Sequence, residues 1–420
     1  MTKTLHDVAI CPRKDMASPP TSTVSLPIEI QYVIIDEFAG ALGEDDNPGA
    51  VRELCRVCSL WAQHAQSHLF RSIQLGSSGR KQRRFVALIT QNPTIGRHVQ
   101  ALSITAQPMS DIASLFEHGG HPLPNLSTLR LSWMVFGSIP VLQYLRAQIT
   151  CLTIVGSSFD SLQILDLLVS SFSRLRWLHL LECLCPNTKP HVDDPLPARP
   201  SDLNLKCLRL GSGGVLHFIM EWISTRREQI HIDMLEIEDI DTPDIPQLNV
   251  VLAGLGRFVR HLRLDIYADS PKSNPVPISV GLCGALETIV LCGMCQDGYI
   301  STIARLASPA LTELSFTIQL RESMARAPEG DEWGCRWDKL GALLGSPNLV
   351  GLTAVHIMFR DGGWADREAY RVAIRQVKRR VQGWALLDKV KLGYWPEGVV
   401  EPFTTDVLKM VSDANAGLDV

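Results

Sequence analysis

The chain has 420 residues, 45% of them hydrophobic and 20% charged, and a formal net charge of −4 at pH 7. This length exceeds a single compact core of ordinary size, so the sequence predicts two or three domains or a repeat array. The mild charge balance gives no general attraction to nucleic acid or to an anionic membrane, and no apolar run is long enough to span a bilayer. We therefore expect neither nucleic acid nor a membrane as a partner.

The cysteines and the first residues of the chain indicate a compartment. The eleven cysteines are an odd number, and the N-terminal residues lack the apolar core of a secretory signal. Both observations favour a reducing environment in which thiols do not pair. The predicted localisation is cytoplasmic, nuclear or both, and residues 1–24 are predicted to be disordered.

Two helices of one small unit are predicted over residues 26–71. Pro27 suits the first helical position, and Glu29 follows in the first turn, where acidic side chains are favoured. A turn-rich segment at 43–49 separates the helices. Residues 54–69 place most of their apolar side chains within one arc, which indicates a second, amphipathic helix.

Cys55, Cys58, His64 and His68 form a pattern that resembles a zinc site. On one helix over 54–69, however, Cys55 and His68 would lie about 20 Å apart. A tetrahedral zinc ion needs its ligands about 2.0–2.3 Å from one point. The sequence therefore predicts a packed helix here, and we expect no metal and no cofactor.

The same region carries a family resemblance in four motifs: Leu26-Pro27-Ile28-Glu29-Ile30, Ile34-Ile35-Asp36, Val57-Cys58-Ser59-Leu60-Trp61 and His68-Leu69-Phe70-Arg71-Ser72-Ile73. In this order they resemble the F-box, as found in the F-box proteins that are numerous in mushroom-forming fungi. The resemblance departs from the family at Arg56, where an apolar residue usually precedes the Val-Cys pair.

The resemblance implies that residues 25–75 form a helical unit that docks on a Skp-type adaptor. In the family, this adaptor links the unit to the core of a cullin–RING ubiquitin ligase. The residues that the resemblance assigns to adaptor contacts or to the core of the unit are Leu26, Pro27, Ile30, Ile34, Val57, Cys58, Trp61 and Leu69.

The rest of the chain repeats an apolar pattern of the form LxxLxL. The middle apolar residues recur at steps of 23 to 30 residues, and each unit alternates apolar and polar positions as a short strand does. Helical stretches lie between several units. The nine segments are 99–104, 126–131, 149–154, 175–180, 205–210, 232–237, 259–264, 286–291 and 311–316, and two weaker ones follow at 349–355 and 387–392.

A strand followed by a helix at this period resembles the leucine-rich repeat. The predicted fold class is an α/β solenoid, a leucine-rich-repeat-like parallel strand–helix stack at 76–395 with a C-terminal cap and an N-terminal all-α unit. A tail is predicted at 396–420. The Asn or Cys that usually follows each repeat strand is present only as Cys183, so we expect an irregular stack.

The polar face of the predicted strands is the expected binding surface. On each strand the residue between the last two core positions points away from the core, and the residue two positions earlier shares its face. This face carries both charge signs and one aromatic residue, a composition that suits a protein ligand. Its predicted binding residues are Arg130, Trp177, His179, Arg209, Glu236, His261, Arg263 and Glu313.

The sequence thus favours a substrate-recruiting F-box adaptor of a cullin–RING (SCF-type) ligase, with no catalytic residue of its own. It would bind the Skp-type adaptor through the F-box and an unknown protein substrate through the repeat face. One alternative is a repeat scaffold with no role in ubiquitin ligation. A second is a cysteine-based enzyme, since Cys292 and Cys295 form a CxxC pair, although no matching ligand pair or base stands near it in the sequence.

Overall fold

A computed structural model describes residues 26–41, 48–76, 78–105, 123–136, 148–185, 203–211, 216–226, 228–267, 277–293, 296–320, 337–361, 375–379, 381–382, 384 and 387–395. The predictions for 1–24 and 396–420 lie outside these residues. The chain divides into two compact units, with the boundary between Leu69 and Phe70.

The first unit is all α-helical and contains α1 (Ile28–Ala41), α2 (Pro48–Leu54) and α3 (Ser59–Leu69). The prediction of two helices, with one unbroken over 54–69, is wrong. Residues 55–57 form a turn, in which the Val57 amide donates to the Leu54 carbonyl over 3.2 Å. The apolar stripe did not reveal this break because Val57, in the turn, and Cys58, directly after it, are themselves apolar.

The second unit is built on one sheet of twelve parallel strands. Each strand pairs with the next one in the chain, apart from a short pair, β4 (Val135–Phe136) and β6 (Ser158–Phe159), which forms its own parallel sheet. The sheet is open, with β1 and β14 as its edges. Its strands are β1 (Ser72–Leu75), β2 (Ala101–Thr105), β3 (Thr128–Ser132), β5 (Cys151–Val155), β7 (Trp177–Leu181), β8 (Leu203–Gly211), β9 (Ile230–Asp241), β10 (His261–Tyr267), β11 (Thr288–Cys292), β12 (Glu313–Leu320), β13 (Ala354–Asp361) and β14 (Val390–Trp395).

Helices connect many of these strands, as parallel pairing requires a crossover. Their apolar side chains join those of the strands in one continuous core. Short 3-10 turns occur at Thr242–Asp244, Val280–Leu282, Pro347–Leu349 and Leu387–Lys389. The α-helices are α4 (Gly79–Gln91), α5 (Pro93–Gly96), α6 (Leu162–Ser170), α7 (Leu216–Thr225), α8 (Ile245–Leu255), α9 (Gln296–Ile303) and α10 (Trp337–Leu344).

The middle apolar residues of the nine predicted segments are register partners in the sheet, from Leu102 to Leu314. The predicted period is therefore the strand spacing of the sheet. The prediction for the segment at 387–392 is also confirmed, because its middle residue Val390 is the register partner of Val355 on the preceding strand. The segment at 349–355 is misplaced: the strand is Ala354–Asp361, and Val355 occupies the row because a 3-10 turn takes up 347–349.

A left-handed backbone position recurs two residues after the last core position of several strands. Trp133, Gly156, Glu182, Asp239 and Gly293 all have a positive φ, between 50° and 72°. Each stands two residues beyond the last core residue of its segment. Side-chain-bearing residues adopt this conformation rarely. Trp133, Gly156, Glu182 and Gly293 directly follow the last residues of β3, β5, β7 and β11, so these four strands end in the same kind of turn, whereas Asp239 lies within β9.

Candidate functional site

The first unit encloses very little apolar material. Among the described residues of this unit, only Ile35, Val51 and Ala65 are buried. Trp61 and Leu69, both predicted as adaptor-contacting or core residues, pack against this cluster and are half-buried. Such a small core contributes little stability by itself.

Most of the other predicted docking residues face solvent. Leu26 is 50% exposed, Ile30 47%, Ile34 41% and Val57 60%, and Pro27 and Cys58 are exposed as well. Val33 and Phe38 extend the exposed apolar surface of α1. We call Ile30, Val33, Ile34 and Phe38 of α1, together with Leu26 just before the helix, the α1 apolar face. Large apolar side chains grouped in this way on a small helical unit mark an interaction surface.

Hydrogen bonds fix how α1 and α3 meet. The Trp61 indole N–H donates to the Gln31 side-chain oxygen over 2.6 Å, and the Gln31 side-chain amide donates to the Leu26 carbonyl over 2.7 Å. Gln31 thus connects the start of α1 with the ring on α3. Trp61 therefore holds the unit together, whereas Ile30 and Ile34 present an apolar surface to solvent.

Asp36 and the two histidines of α3 form a polar cluster that the sequence analysis missed. Asp36 Oδ1 lies 2.6 Å from His64 Nε2 and 2.7 Å from His68 Nε2. Tyr32 stacks on the His64 ring with centroids 4.1 Å apart. Burial raises the pKa of Asp36, but hydrogen bonds and charge from both histidines outweigh it and leave the pKa below its ordinary value.

The two cysteines of the apparent zinc pattern do not join this cluster. Cys55 and Cys58 lie between α2 and α3, where the Cys58 thiol accepts the Trp61 amide over 3.5 Å. The metal-binding groups that converge among the described residues are Asp36, His64 and His68. Spacing within each helix signals this cluster, because Tyr32 and Asp36, and likewise His64 and His68, are four residues apart.

On the second unit, the predicted face residues do lie in register. The row between the last two core positions runs across the whole sheet, and Trp177, His261 and Glu313 share the row two residues earlier. The longer row is Gln74, Ser103, Arg130, Thr153, His179, Arg209, Glu236, Arg263, Val290, Ser315, His356 and Lys391.

The centre of this row is buried, contrary to the expectation of an exposed face. Arg209, Glu236 and Arg263 are among the buried charged residues, and Glu236 is 0% exposed. Arg209 pairs with Glu238 over 2.7 Å and approaches Glu236 at 3.7 Å. Burial lowers the pKa of Arg263, but the charges of neighbouring acidic groups, Glu236 and Glu238 among them, more than offset it. We call Arg209, Glu236, Glu238 and Arg263 the central charge cluster.

The face is accessible on both sides of the buried centre: His261 and Glu313 are half-buried, and Lys391 on β14 is exposed. Arg130 is exposed, and Trp177 and His179 are half-buried. Trp133, which the sequence analysis did not select, is 59% exposed and has a φ of 60°. Its ring lies flat against Gly156, where an added Cβ would meet it at 2.6 Å. Its positive φ belongs to the left-handed position shared with Gly156 and Glu182, so the feature specific to Trp133 is its exposed ring, an aromatic surface that suits a protein contact.

We expect the stability of the second unit to fall as the pH decreases from 6.5 to about 4. Burial, followed by the charge of Arg209, lowers the pKa of His179 to about 4, and burial with Lys391 does the same for His356. In this range the unfolded chain therefore binds protons at these histidines and the folded chain does not. For His179 this lowers the free energy of unfolding by up to about 3 kcal/mol. Urea unfolding across this pH range measures the effect.

The matched control for this prediction replaces His179 and His356 with glutamine. Carboxylates also titrate between pH 6.5 and 4, so the informative quantity is the difference in slope between the two proteins. The double variant should lose stability less steeply than the parent chain. Equal slopes would show that neither imidazole is held neutral by the fold.

Comparisons with known proteins add no assignment. No protein-family model matches this chain, and no match was found among curated proteins. Among the described residues, none of the helices combines the length and apolarity that crossing a bilayer requires. The function must therefore be argued from the geometry of the two units.

Proposed function

We propose that this chain is an F-box-type adaptor that recruits a protein substrate to a cullin–RING ubiquitin ligase. One observation carries the proposal. Among its described residues, the first unit exposes the α1 apolar face while it buries three apolar side chains. A unit with this balance gains stability when a partner covers its exposed surface, because binding to the folded state shifts the folding equilibrium toward that state.

The motif order of the F-box gives the class of partner. The residues of the α1 apolar face include Leu26, Ile30 and Ile34, which the resemblance assigns to adaptor contacts. Val57, in the turn before α3, is exposed as well. We infer that a Skp-type adaptor packs on these side chains, while Trp61 and Leu69 support them from the interior of the unit.

The second unit suits the recruitment of a target. Consecutive parallel strands, a single row of register partners and a recurring left-handed turn support a leucine-rich-repeat-like solenoid, in which each repeat contacts its neighbours. Ser157 adds to this reading, since its hydroxyl accepts the Met134 amide over 3.0 Å. The neighbouring Cys183 thiol lies 3.6 Å from the Ile154 carbonyl. These polar side chains thus provide hydrogen-bond partners for backbone groups in the turns of adjacent repeats.

Target contacts are proposed on the N-terminal strands of the face, around Arg130, Trp133 and Trp177, where exposed arginine and aromatic side chains lie together in the sequence of strands. Exposed aromatic and arginine side chains supply much of the binding energy in protein interfaces. The chain would then act by proximity: one unit holds the ligase and the other holds the target, which raises the local concentration of target lysines near the charged ubiquitin carrier.

Four thiols of the second unit argue against a cysteine-based enzyme at their own positions; of the CxxC pair, Cys292 is buried and Cys295 lies outside the described residues. Burial raises the pKa of Cys183 and that of Cys283 to about 12, and burial also raises the pKa of Cys207 and Cys151. A nucleophilic cysteine needs a lowered pKa. These four thiols therefore stay protonated at neutral pH.

The proposal is tested with Ile30→Asp and Ile34→Asp in one chain. Both side chains are exposed on α1, so the helix should persist while two apolar contacts with the adaptor disappear. At about 1.5–3 kcal/mol for each buried side chain, affinity for a purified fungal Skp-type adaptor should fall at least roughly a hundredfold. Titration calorimetry or pull-down with the purified adaptor measures the change.

Val350→Asp is the matched control, because Val350 is 84% exposed and lies on the second unit. It introduces an aspartate at one exposed apolar position, against two in the test variant, and should leave adaptor binding unchanged. If the parent chain does not bind a Skp-type adaptor, the chain is a repeat scaffold outside the ligase. If the Ile30 and Ile34 variant binds as tightly as the parent, the α1 apolar face is not the docking surface.

A further inference from the structure

We infer that Asp36, His64 and His68 form a binding site for a divalent transition metal of the Zn²⁺ type, which links α1 to α3. This inference is independent of the proposed function. Three groups that bind such ions in proteins converge from two helices, and each offers one ligand atom within 4.8 Å of the others. Two imidazoles and a carboxylate are among the ligand sets that Zn²⁺ accepts.

The helices place these groups on facing turns. His64 and His68 are four residues apart on α3, so their rings project from the same side of the helix. Asp36 projects from α1 between them, with its Oδ1 at hydrogen-bond distance from both Nε2 atoms. Tyr32, one turn before Asp36, stacks on the His64 ring and fixes its plane.

The distances fit a metal after a small movement. Ligand atoms bound to one tetrahedral Zn²⁺ at about 2.0–2.1 Å lie about 3.3 Å from each other, whereas the Asp36 oxygen lies 2.6 and 2.7 Å from the two nitrogens. The carboxylate must therefore retreat by about 0.6 Å, and the two Nε2 atoms, which lie within 4.8 Å of each other, must come to about 3.3 Å as well. The Asp36 side chain is 52% exposed, so it has room to retreat. Each imidazole then presents an unprotonated Nε2 to the ion and carries its proton on Nδ1.

Partial exposure leaves a position for a fourth ligand. The two histidine side chains are 25% and 22% exposed, so solvent can complete the coordination of an ion held by three protein groups. A link between the helices would also stabilise the unit, because its described core contains only Ile35, Val51 and Ala65. A bound metal stabilises the folded state over the unfolded chain and supplements such a core.

The site is tested on the full chain after treatment with a chelator. Zn²⁺ is titrated calorimetrically into the parent chain and into a variant with His64→Gln and His68→Gln, and the difference isolates this site from other histidines and cysteines. We expect the variant to bind one ion fewer. In the parent chain, Zn²⁺ should slow amide hydrogen exchange in α1 and α3, and the chelator should reverse this effect.

Two further variants separate a metal site from a hydrogen-bonded link between the helices. Asp36→Asn keeps an oxygen that accepts from both imidazoles but removes the anionic ligand, so the affinity for Zn²⁺ should fall more than about tenfold. Cys55→Ser with Cys58→Ser should change nothing. Equal binding by the parent chain and the double-histidine variant would overturn the inference, as would loss of the ion with the cysteine variant but not with Asp36→Asn.

Discussion

Glu236→Ala is expected to lower the free energy of unfolding of the second unit by about 3–5 kcal/mol. Glu236 is 0% exposed, and it lies in register between Arg209 on β8 and Arg263 on β10. Its removal leaves two buried guanidinium groups with Glu238 as the remaining carboxylate of the central charge cluster. Chemical denaturation followed by circular dichroism measures the loss.

Replacing Arg209 and Glu236 together, each by leucine, is the matched control. The double change removes one positive and one negative charge and leaves Arg263 with Glu238, so no net charge remains buried. Apolar replacement of a whole buried ion pair is often neutral. We therefore expect the double variant to be more stable than Glu236→Ala. A double variant that is as unstable would mean that side-chain volume, and not charge balance, decides stability here.

The central charge cluster also shows why the binding face could be predicted only in part. Alternation along a strand fixes which side of a sheet a residue occupies, and Arg209, Glu236 and Arg263 share the predicted side. It does not reveal how densely long side chains on neighbouring strands cover one another. In this parallel sheet, arginine and glutamate occupy the same register position on adjacent strands, so their long side chains bury each other.

The strands of the second unit could be predicted because their period is nearly constant and because core positions such as Leu129, Leu152 and Leu178 carry the same apolar type. The shift at Val355 arose where the connection lengthened and a 3-10 turn displaced the strand. β1 was missed as part of the sheet because Ile73 follows the helical unit without a full repeat before it. The sequence analysis had grouped 25–75 together, whereas β1 pairs with β2.

The polar cluster on the first unit was missed for a different reason. Placing 54–69 on one helix correctly separates Cys55 from His68, and the cysteines indeed do not join the cluster. The acidic partner of the histidines stands on another helix, at Asp36. In the chain, Asp36 stands 28 residues before His64 and 32 before His68. The four-residue spacing within each helix indicates which side chains share a face, but only the packing of α1 on α3 brings the acid to the histidines.

The first unit combines two demands that compete for the same apolar residues. Ile30 and Ile34 must stay exposed if they are to contact a partner, so they cannot contribute to the core. The few residues that remain must hold three helices together. Trp61 is the largest side chain packed on the cluster of Ile35, Val51 and Ala65, and its indole N–H also reaches Gln31. The stability of the unit should therefore depend strongly on this one ring.

Trp61→Ala should unfold the first unit while the second unit stays folded. Truncating a packed tryptophan costs about 3–5 kcal/mol, which equals what the core of a domain this small usually provides. Hydrogen exchange measured by mass spectrometry should show rapid exchange throughout α1, α2 and α3 and unchanged protection in the sheet. Gln31→Ala removes only the hydrogen bond and should cost about 1 kcal/mol, leaving the helices protected. Slow exchange in α1–α3 of the Trp61 variant would show that the ring belongs to the docking surface and not to the support beneath it, and adaptor binding would then have to be tested at Trp61 as well as at Ile30 and Ile34.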